Sequence, residues 1–393
     1  MIPMELIFEI FLGLSVKDLL RFRCLSKEFC QEIDSAAFTT AQLNRSKKTR
    51  THRKLVLYYC QIDGKKSALY VADFDDEISR GAKLAHQLNP DCCFINFTVY
   101  GSCNGLILLY NNNTRKDYGD EVYYRWLLVN PFTRKFKKVI PCPREESPYY
   151  GESVFGFGYD SIGNDYKLVQ IIQPYKWEDH IEIWVFSFAS NTWRKQKVPF
   201  CHNKTFPLRE DKIGFFADGA LHWLSERIDE DRIYYEIVTL DLSNEVFVNL
   251  VHSDSLKRLD PQTIWCTDQN HLLVLGGSLA LLRELYSNDV ELYLAVKCEE
   301  HYNWTKLYNI CLDPPFPGCI RTALEVSKNG ENLLLLMNDG KLYWYNLKKK
   351  KNNTIWVPID RVAQHDDFTE LFCCESAFCW ESLVWPAIDD SSL

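Results

Sequence analysis

Two different spacings of apolar residues divide the chain. Over the first 44 residues they fall at helical intervals: Leu6, Ile7, Ile10, Phe11 and Leu14 follow Pro3, a residue suited to a first helical turn. Gly13 can end that helix. Ser15-Val16-Lys17-Asp18 reads as a capping box that opens a second helix, with Val16, Leu19, Leu20 and Cys24 along its face. Ser26 can cap a third, which carries Phe29 and Ile33. The pattern therefore predicts a head of three short helices, near the lower size limit for independent folding. The first helix is apolar on two adjacent stripes, more than one interior can hide. A leftover apolar stripe marks an interface.

From Leu55 onward the chain changes to short β-rich runs, punctuated by Asn-Gly and Asp-Gly pairs that signal hairpins. Aligning these turns brings out a repeat. Asn104-Gly105 precedes strands at 106–110 and 126–130, then a turn at 131–135 and Phe136. Gly163-Asn164 precedes 166–172, 181–188 and Trp193; Asp218-Gly219 precedes 220–224, 235–240 and Phe247. Asn270 precedes 271–275, 291–296 and Trp304; Asn329-Gly330 precedes 332–337, 341–345 and Trp356. A shorter first copy fits 55–59 and 68–72. The closing aromatics recur about every 55 residues, a fixed long period that points to a six-bladed β-propeller of four-stranded sheets. A β-sandwich with regular hairpins is the alternative. The last apolar runs, 372–374 and 378–380, are expected to complete the sheet that begins near Leu55, which removes an exposed edge. The expected organisation is a head over 1–44, a basic linker over 45–54 and a body over 55–393, mainly β with a small α head.

Charge narrows the functional classes. The 45 basic and 53 acidic residues leave a net charge of −8, which argues against nucleic-acid binding through a broadly basic surface. Residues 45–54 are a local exception, with Arg45, Lys47, Lys48, Arg50, Arg53 and Lys54. They fit a nuclear-import signal, an RNA contact or a solvated linker. The longest apolar stretch, 272–282, is interrupted by Gly276, Gly277 and Ser278 and is too short for the ~20 residues of a membrane helix. The start, Met1-Ile2-Pro3-Met4-Glu5, lacks the pattern of a secretory signal, so the 15 cysteines are expected to be free thiols in a reducing compartment. None has C-x-x-C spacing and no histidines form H-x-x-x-H, so no metal or cofactor is expected. Nucleotide-binding, nucleophile-elbow and zinc-protease motifs are absent as well.

The head, Ile2-Pro3-Met4-Glu5-Leu6-Ile7-Phe8-Glu9-Ile10 and then Leu14-Ser15-Val16-Lys17-Asp18-Leu19-Leu20-Arg21-Phe22-Arg23-Cys24-Leu25-Ser26-Lys27, resembles an F-box. The body is similar to the plant F-box-associated, kelch-related domain, and the layout to that of S-locus F-box proteins. Its marks are Gly101-Ser102-Cys103-Asn104-Gly105-Leu106, Asn130-Pro131-Phe132-Thr133-Arg134, Gly156-Phe157-Gly158-Tyr159-Asp160, Asn164-Asp165-Tyr166-Lys167 and Glu381-Ser382-Leu383-Val384. The chain departs from the family pattern with Leu14-Ser15 in place of Leu-Pro and Phe29 in place of Trp. The double glycine of kelch repeats occurs at Gly276-Gly277 alone. The resemblance implies a substrate-recognition subunit of an SCF-type ubiquitin ligase, non-catalytic itself. Its head would dock on a Skp-family linker protein, and through it on a cullin scaffold and RING subunit. On that reading Pro3, Leu6, Ile10, Leu14, Val16, Leu19, Leu20 and Leu25 anchor the linker, with Glu9, Arg21 and Lys27 at the rim.

The protein to be ubiquitinated would bind the body, and relatives' targets include self-incompatibility ribonucleases and immune receptors. In the repeat alignment, loops 111–124, 173–180, 225–232 and 276–289 leave one face together with links 141–152, 199–211 and 312–319. They carry Tyr123, Tyr149, Tyr150, Tyr175, Trp177 and Arg227, residue types favoured at interface hot spots. These six are the expected target contacts. Two other readings stay open: an F-box scaffold working outside the ligase, and a propeller enzyme, for which Asp160, Asp218 and Asp339 are candidates on paper. Neither nucleic acid nor membrane is an expected partner, and both cytoplasmic and nuclear localisation fit.

Overall fold

The computed structural model describes residues 3–61, 67–74, 97–111, 126–143, 153–172, 180–199, 213–229, 232–251, 262–263, 270–285, 289–298, 301–311, 320–338, 340–355 and 371–386. The chain forms two compact units, 1–139 with 355–386 and 140–354 with 387–393.

The head of the first unit has four helices, not three: α1 (Met4–Phe11), α2 (Val16–Phe22), α3 (Lys27–Ile33) and α4 (Ala36–Thr49). Ser15, Ser26 and Ser35 cap the last three, each side chain accepting from the amide three residues on. Phe11, Leu12, Leu19, Ile33 and Phe38 form the core, with Phe8, Leu14, Phe22 and Phe29 packed against it. The buried positions of α4 are Phe38, Gln42, Leu43 and Ser46. Two of these are polar, so α4 carries no apolar stripe for a periodicity reading to find.

The basic segment 45–54, expected as a linker, is instead built into the fold. Its first five residues end α4, and Arg53 opens a strand. Arg45 pairs with Glu9 and Lys47 donates to Asn104. Arg53 is buried against the faces of Phe74 and Phe378. Lys54 pairs with Asp73 and Glu381. Burial disfavours its charge, yet the two carboxylates outweigh burial and raise its pKa.

Two sheets complete the first unit. β1 (Arg53–Gln61) lies between β2 (Ser67–Asp73) and the C-terminal strand Leu371–Trp380. The register runs from Arg53↔Trp380 to Gln61↔Leu371, so the end of the chain completes the sheet begun at its first strand, as expected. The second sheet is a four-stranded antiparallel meander of β3 (Phe97–Cys103), β4 (Leu106–Asn111), β5 (Trp126–Asn130) and β6 (Lys135–Val139).

The second unit repeats that meander in chain order. Its first two sets are β7 (Ser153–Asp160), β8 (Asp165–Ile172), β9 (His180–Ser187), β10 (Thr192–Pro199) and β11 (Ile213–Ala217), β12 (Ala220–Asp229), β13 (Arg232–Asp241), β14 (Val246–Val251). A short parallel pairing, Ile213↔Phe155 and Gly214↔Gly156, joins them, and β15 (Gln262–Thr263) pairs with β13. Then come β16 (Asn270–Leu275), β17 (Ser278–Glu284), β18 (Asp289–Cys298), β19 (His301–Cys311) and β20 (Ile320–Val326), β21 (Asn332–Met337), β22 (Leu342–Asn346), β23 (Lys351–Ile355). In the sets whose turns the sequence marks correctly, the strand that precedes the turn (β3, β7, β11 and β20) has no counterpart in the expected repeat. The reason is visible in β7: Gly156 and Gly158 dilute its strand signal, and they are there because a Cβ at Gly156 would collide with Leu221 and Trp223.

Two expected loops need correction. Asn270 opens β16 and is no turn; the turn is Gly276-Gly277, both at positive φ, and β17 takes up 278–284 of the expected loop 276–289. Of the expected loop 225–232, residues 225–229 and 232 are the paired end of the β12–β13 hairpin, up to Asp229↔Arg232.

A buried ionic network ties the first two sets of the second unit. Lys167 Nζ donates to Asp160 Oδ2 (2.8 Å) and to the Leu242 carbonyl (2.7 Å), and lies 2.9 Å from Glu245 Oε1. Asp160 Oδ1 accepts from the Ser243 hydroxyl and from the amides of Ile162 and Gly163. Burial opposes ionisation of Asp160, but Lys167, the Gly163 amide and Ser243 overcome it and hold its pKa down to about 2.

Candidate functional site: the exposed stripe of the helical head

The stripe left over on the head is narrower than the sequence suggested. Leu6 and Ile10, one turn apart on α1, are 56% and 58% exposed, and Leu25, just beyond α2, is 68% exposed. Pro3, Glu9, Arg21 and Lys27 are also exposed, and Leu14 and Leu20 are half-buried. Val16 and Leu19 are fully buried. They are corrected from docking anchors to core residues: at this spacing on α2 both turn inward, and Leu19 packs among Phe11, Ile33 and Phe38. Leu14 packs against the same cluster.

Ion pairs frame the stripe. Arg23 grips Asp34 through Nε and Nη2, both at 2.7 Å, which joins the end of α2 to the end of α3. The Arg23 hydrogen bonds hold Asp34 below the usual carboxylate range against its partial burial. Arg21 and Asp18 pair one turn apart in solvent, where such a contact adds little. The Ser15 hydroxyl is the main reason that the Asp18 pKa is lowered. The rim residue Glu9 is held by Arg45 of α4 at 3.0 Å.

Elsewhere the head meets three motifs whose role the sequence left open. The Val16 amide donates to Glu381 Oε1 at 2.8 Å. Asn130 Nδ2 donates to the carbonyls of Ser382 (3.0 Å) and Val384 (2.8 Å), while its Oδ1 accepts from the amides of Phe132 and Thr133. Gly105 has φ +84°, and a Cβ there would strike Ser382 and the Trp380 carbonyl. Leu383 packs against the head core. The head therefore sits over the Asn104-Gly105 and Asn130–Arg134 turns. The connection from β4 to β5 leaves the opposite end of that sheet, between Asn111 and Trp126.

Of the expected target contacts, Tyr123, Tyr149, Tyr150, Tyr175 and Trp177 lie outside the described residues. Arg227 is placed by its backbone, in β12 opposite Tyr234. Asp160 belongs to the buried network, Asp218 stands in an exposed turn at positive φ, and Asp339 lies outside the described residues. Among the described residues no cluster of three or more His, Cys, Asp or Glu side chains could hold a metal. No described helix is long and apolar enough to cross a membrane. Burial pushes the Cys103 thiol up to about 12, which leaves it unreactive.

Residues 1–40 match the family described as F-box domain, and residues 53–384 match the F-box associated beta propeller domain. The F-box protein CPR1 of Arabidopsis thaliana is 27% identical over 383 residues, covering 91% of this chain and 84% of that protein. An F-box/kelch-repeat protein of the same plant is 25% identical over 331 residues, 79% of each. Among solved structures, an oligogalacturonate lyase in complex with manganese aligns with a TM-score of 0.41 at 12% identity, over 78% of this chain and 74% of that one.

Proposed function

Because the chain belongs to the F-box proteins that carry an F-box associated β-propeller domain, we propose that it is the substrate-recognition subunit of an SCF-type ubiquitin ligase. The observation that carries this reading is the trio Leu6, Ile10 and Leu25, large apolar side chains left more than half exposed on a head that has filled its own core. Large apolar side chains left this exposed suit a partner that buries them. An F-box implies a Skp-family linker as that partner, and the cullin scaffold and RING subunit would follow through the linker. Chemistry at the ubiquitin thioester then belongs to other subunits, and this chain contributes binding and position alone.

Target binding is assigned to the end of the β3–β6 sheet opposite the head, where the β4–β5 connection emerges. The targets are proteins; ribonucleases and immune receptors are the classes to try first. Cytoplasmic and nuclear pools both accommodate this role. Co-expression of the full chain with a Skp-family linker and a cullin tests the reading. Recovery of all three in equal amounts supports it. Recovery of the chain with other proteins but without cullin would favour a scaffold outside the ligase.

A further inference from the structure

After the last strand the chain runs beneath the head. Trp380 still pairs with Arg53, and the Glu381 amide donates to the His52 carbonyl at 2.9 Å. The Glu381 carboxylate is buried; it accepts from the first amide of α2 and lies 3.2 Å from Lys54 Nζ and 3.8 Å from His52 Nδ1. Its neighbours engage other elements. Ser382 and Val384 are held by Asn130 at the end of β5, Ser382 is pressed against Gly105 at the β3–β4 turn, and Leu383 enters the core of the head. Four consecutive residues thus touch α2, the helical core, β1 and both tight turns of the second sheet.

The covalent connection between head and sheets is short and passes through Arg50 and His52, both at positive φ. That connection fixes where the head is tethered, and against rotation about it the exposed Lys47–Asn104 hydrogen bond adds little. A buried attachment made by the C-terminal segment, whose Glu381 accepts from the Val16 amide 365 residues away, removes that freedom. We infer that residues 381–384 are a latch that fixes the head to the two sheets of its unit, with Glu381 as the positioning residue. A meaning follows for the Glu-Ser-Leu-Val motif: it is the bolt of the joint. The first-turn amide of α2 would otherwise lack a partner, and Lys54 would keep Asp73 alone. The consequence for ubiquitin transfer rests on the adaptor reading above. An adaptor acts by holding its target at a set distance from the charged conjugating enzyme, and a loosened head would spread that distance.

Amide hydrogen exchange on the full chain tests the latch directly. Glu381→Ala is expected to speed exchange at residues 16–19 at least tenfold, with β1 and the C-terminal strand unchanged. Glu381→Gln keeps an acceptor for the Val16 amide and should lie between the two. Unchanged exchange at 16–19 in Glu381→Ala would overturn the latch. So would acceleration spread equally over the C-terminal strand, since Glu381 would then be a general stability residue. A second arm reconstitutes the chain with linker, cullin, RING subunit, ubiquitin and its conjugating enzyme, and maps modified lysines on the chain itself. Wild type should show a restricted set and Glu381→Ala a broader one, at equal linker affinity. The same set in both would also refute the positioning role. If wild type fails to bind linker, the adaptor reading falls, and the exchange arm still decides the latch.

Discussion

Replacing Lys167 by Met removes the one ammonium from a site that holds two buried carboxylates, Asp160 and Glu245. The methionine fills similar space, so the effect is electrostatic. Lys167 is itself almost fully buried, and each of its three contacts lies between 2.7 and 2.9 Å. Removing one partner of a buried pair costs on the order of 3–5 kcal/mol, because the charges left behind stay desolvated. Arg194 reaches Glu245 from the surface and offsets part of that cost. The expected loss for Lys167→Met is therefore about 3 kcal/mol, read as a lower urea midpoint for the full chain at unchanged slope. Adding Asp160→Asn should recover part of it, since the amide oxygen can still accept from Ile162 and Gly163 while the stranded charge is gone. A loss below about 1 kcal/mol in the single variant, or a double variant worse than the sum of the two single variants, would refute this account of the network.

Other expectations follow from the same contacts. His222 is buried between the Ala217 carbonyl, which can only accept, and the Thr239 hydroxyl, and burial pushes its pKa down to about 4. Its folded pKa lies below the unfolded value, so its contribution is full above about pH 6.5 and is lost as pH falls toward 4, on the order of 3 kcal/mol. Melting curves of His222→Gln should show a flatter decline over that window, and equal slopes would count against it. Asn130→Ala strands two carbonyls of the tail and opens the turn at 131–134, which should cost about 2–4 kcal/mol in urea unfolding. Deleting residues 371–393 strips β1 of one neighbour and exposes its edge. The truncated chain should aggregate on purification, and a monomer with unchanged melting would show that the closing strand is dispensable.

The sequence made the repeat legible because tight turns need particular residues. Asn104, Asn164 and Asp218 sit at positive φ, where Asn and Asp are the tolerated non-glycine choices, so those turns stood out. The aromatics Phe136, Trp193, Phe247 and Trp304, which fall in the last strands of their sets, were equally visible, while Trp356 lies outside the described residues. What escaped was signalled by nothing local. β17 is a continuous apolar run after a glycine pair and has no alternation to mark it. α4 buries Gln42 and Ser46, so its inward face looks polar. On the head, spacing showed that apolar residues were in excess but could not say which would face out. Leu19 differs from Leu6 and Ile10 through its packing against Ile33 and Phe38, a tertiary fact, and Val16 is likewise fully buried. The Glu381 contact with Val16 was beyond reach altogether, since its partners are 365 residues apart.

The central claim is that the exposed stripe of the head binds a Skp-family linker, and calorimetric titration of the purified linker into the full chain tests it most directly. Wild type should bind one linker per chain. Leu6→Ala with Ile10→Ala should weaken binding at least a hundredfold, about 2.7 kcal/mol, with an unchanged melting temperature because both side chains are already exposed. Equal affinity of wild type and the double variant, or no binding by a folded wild-type chain, would contradict the account.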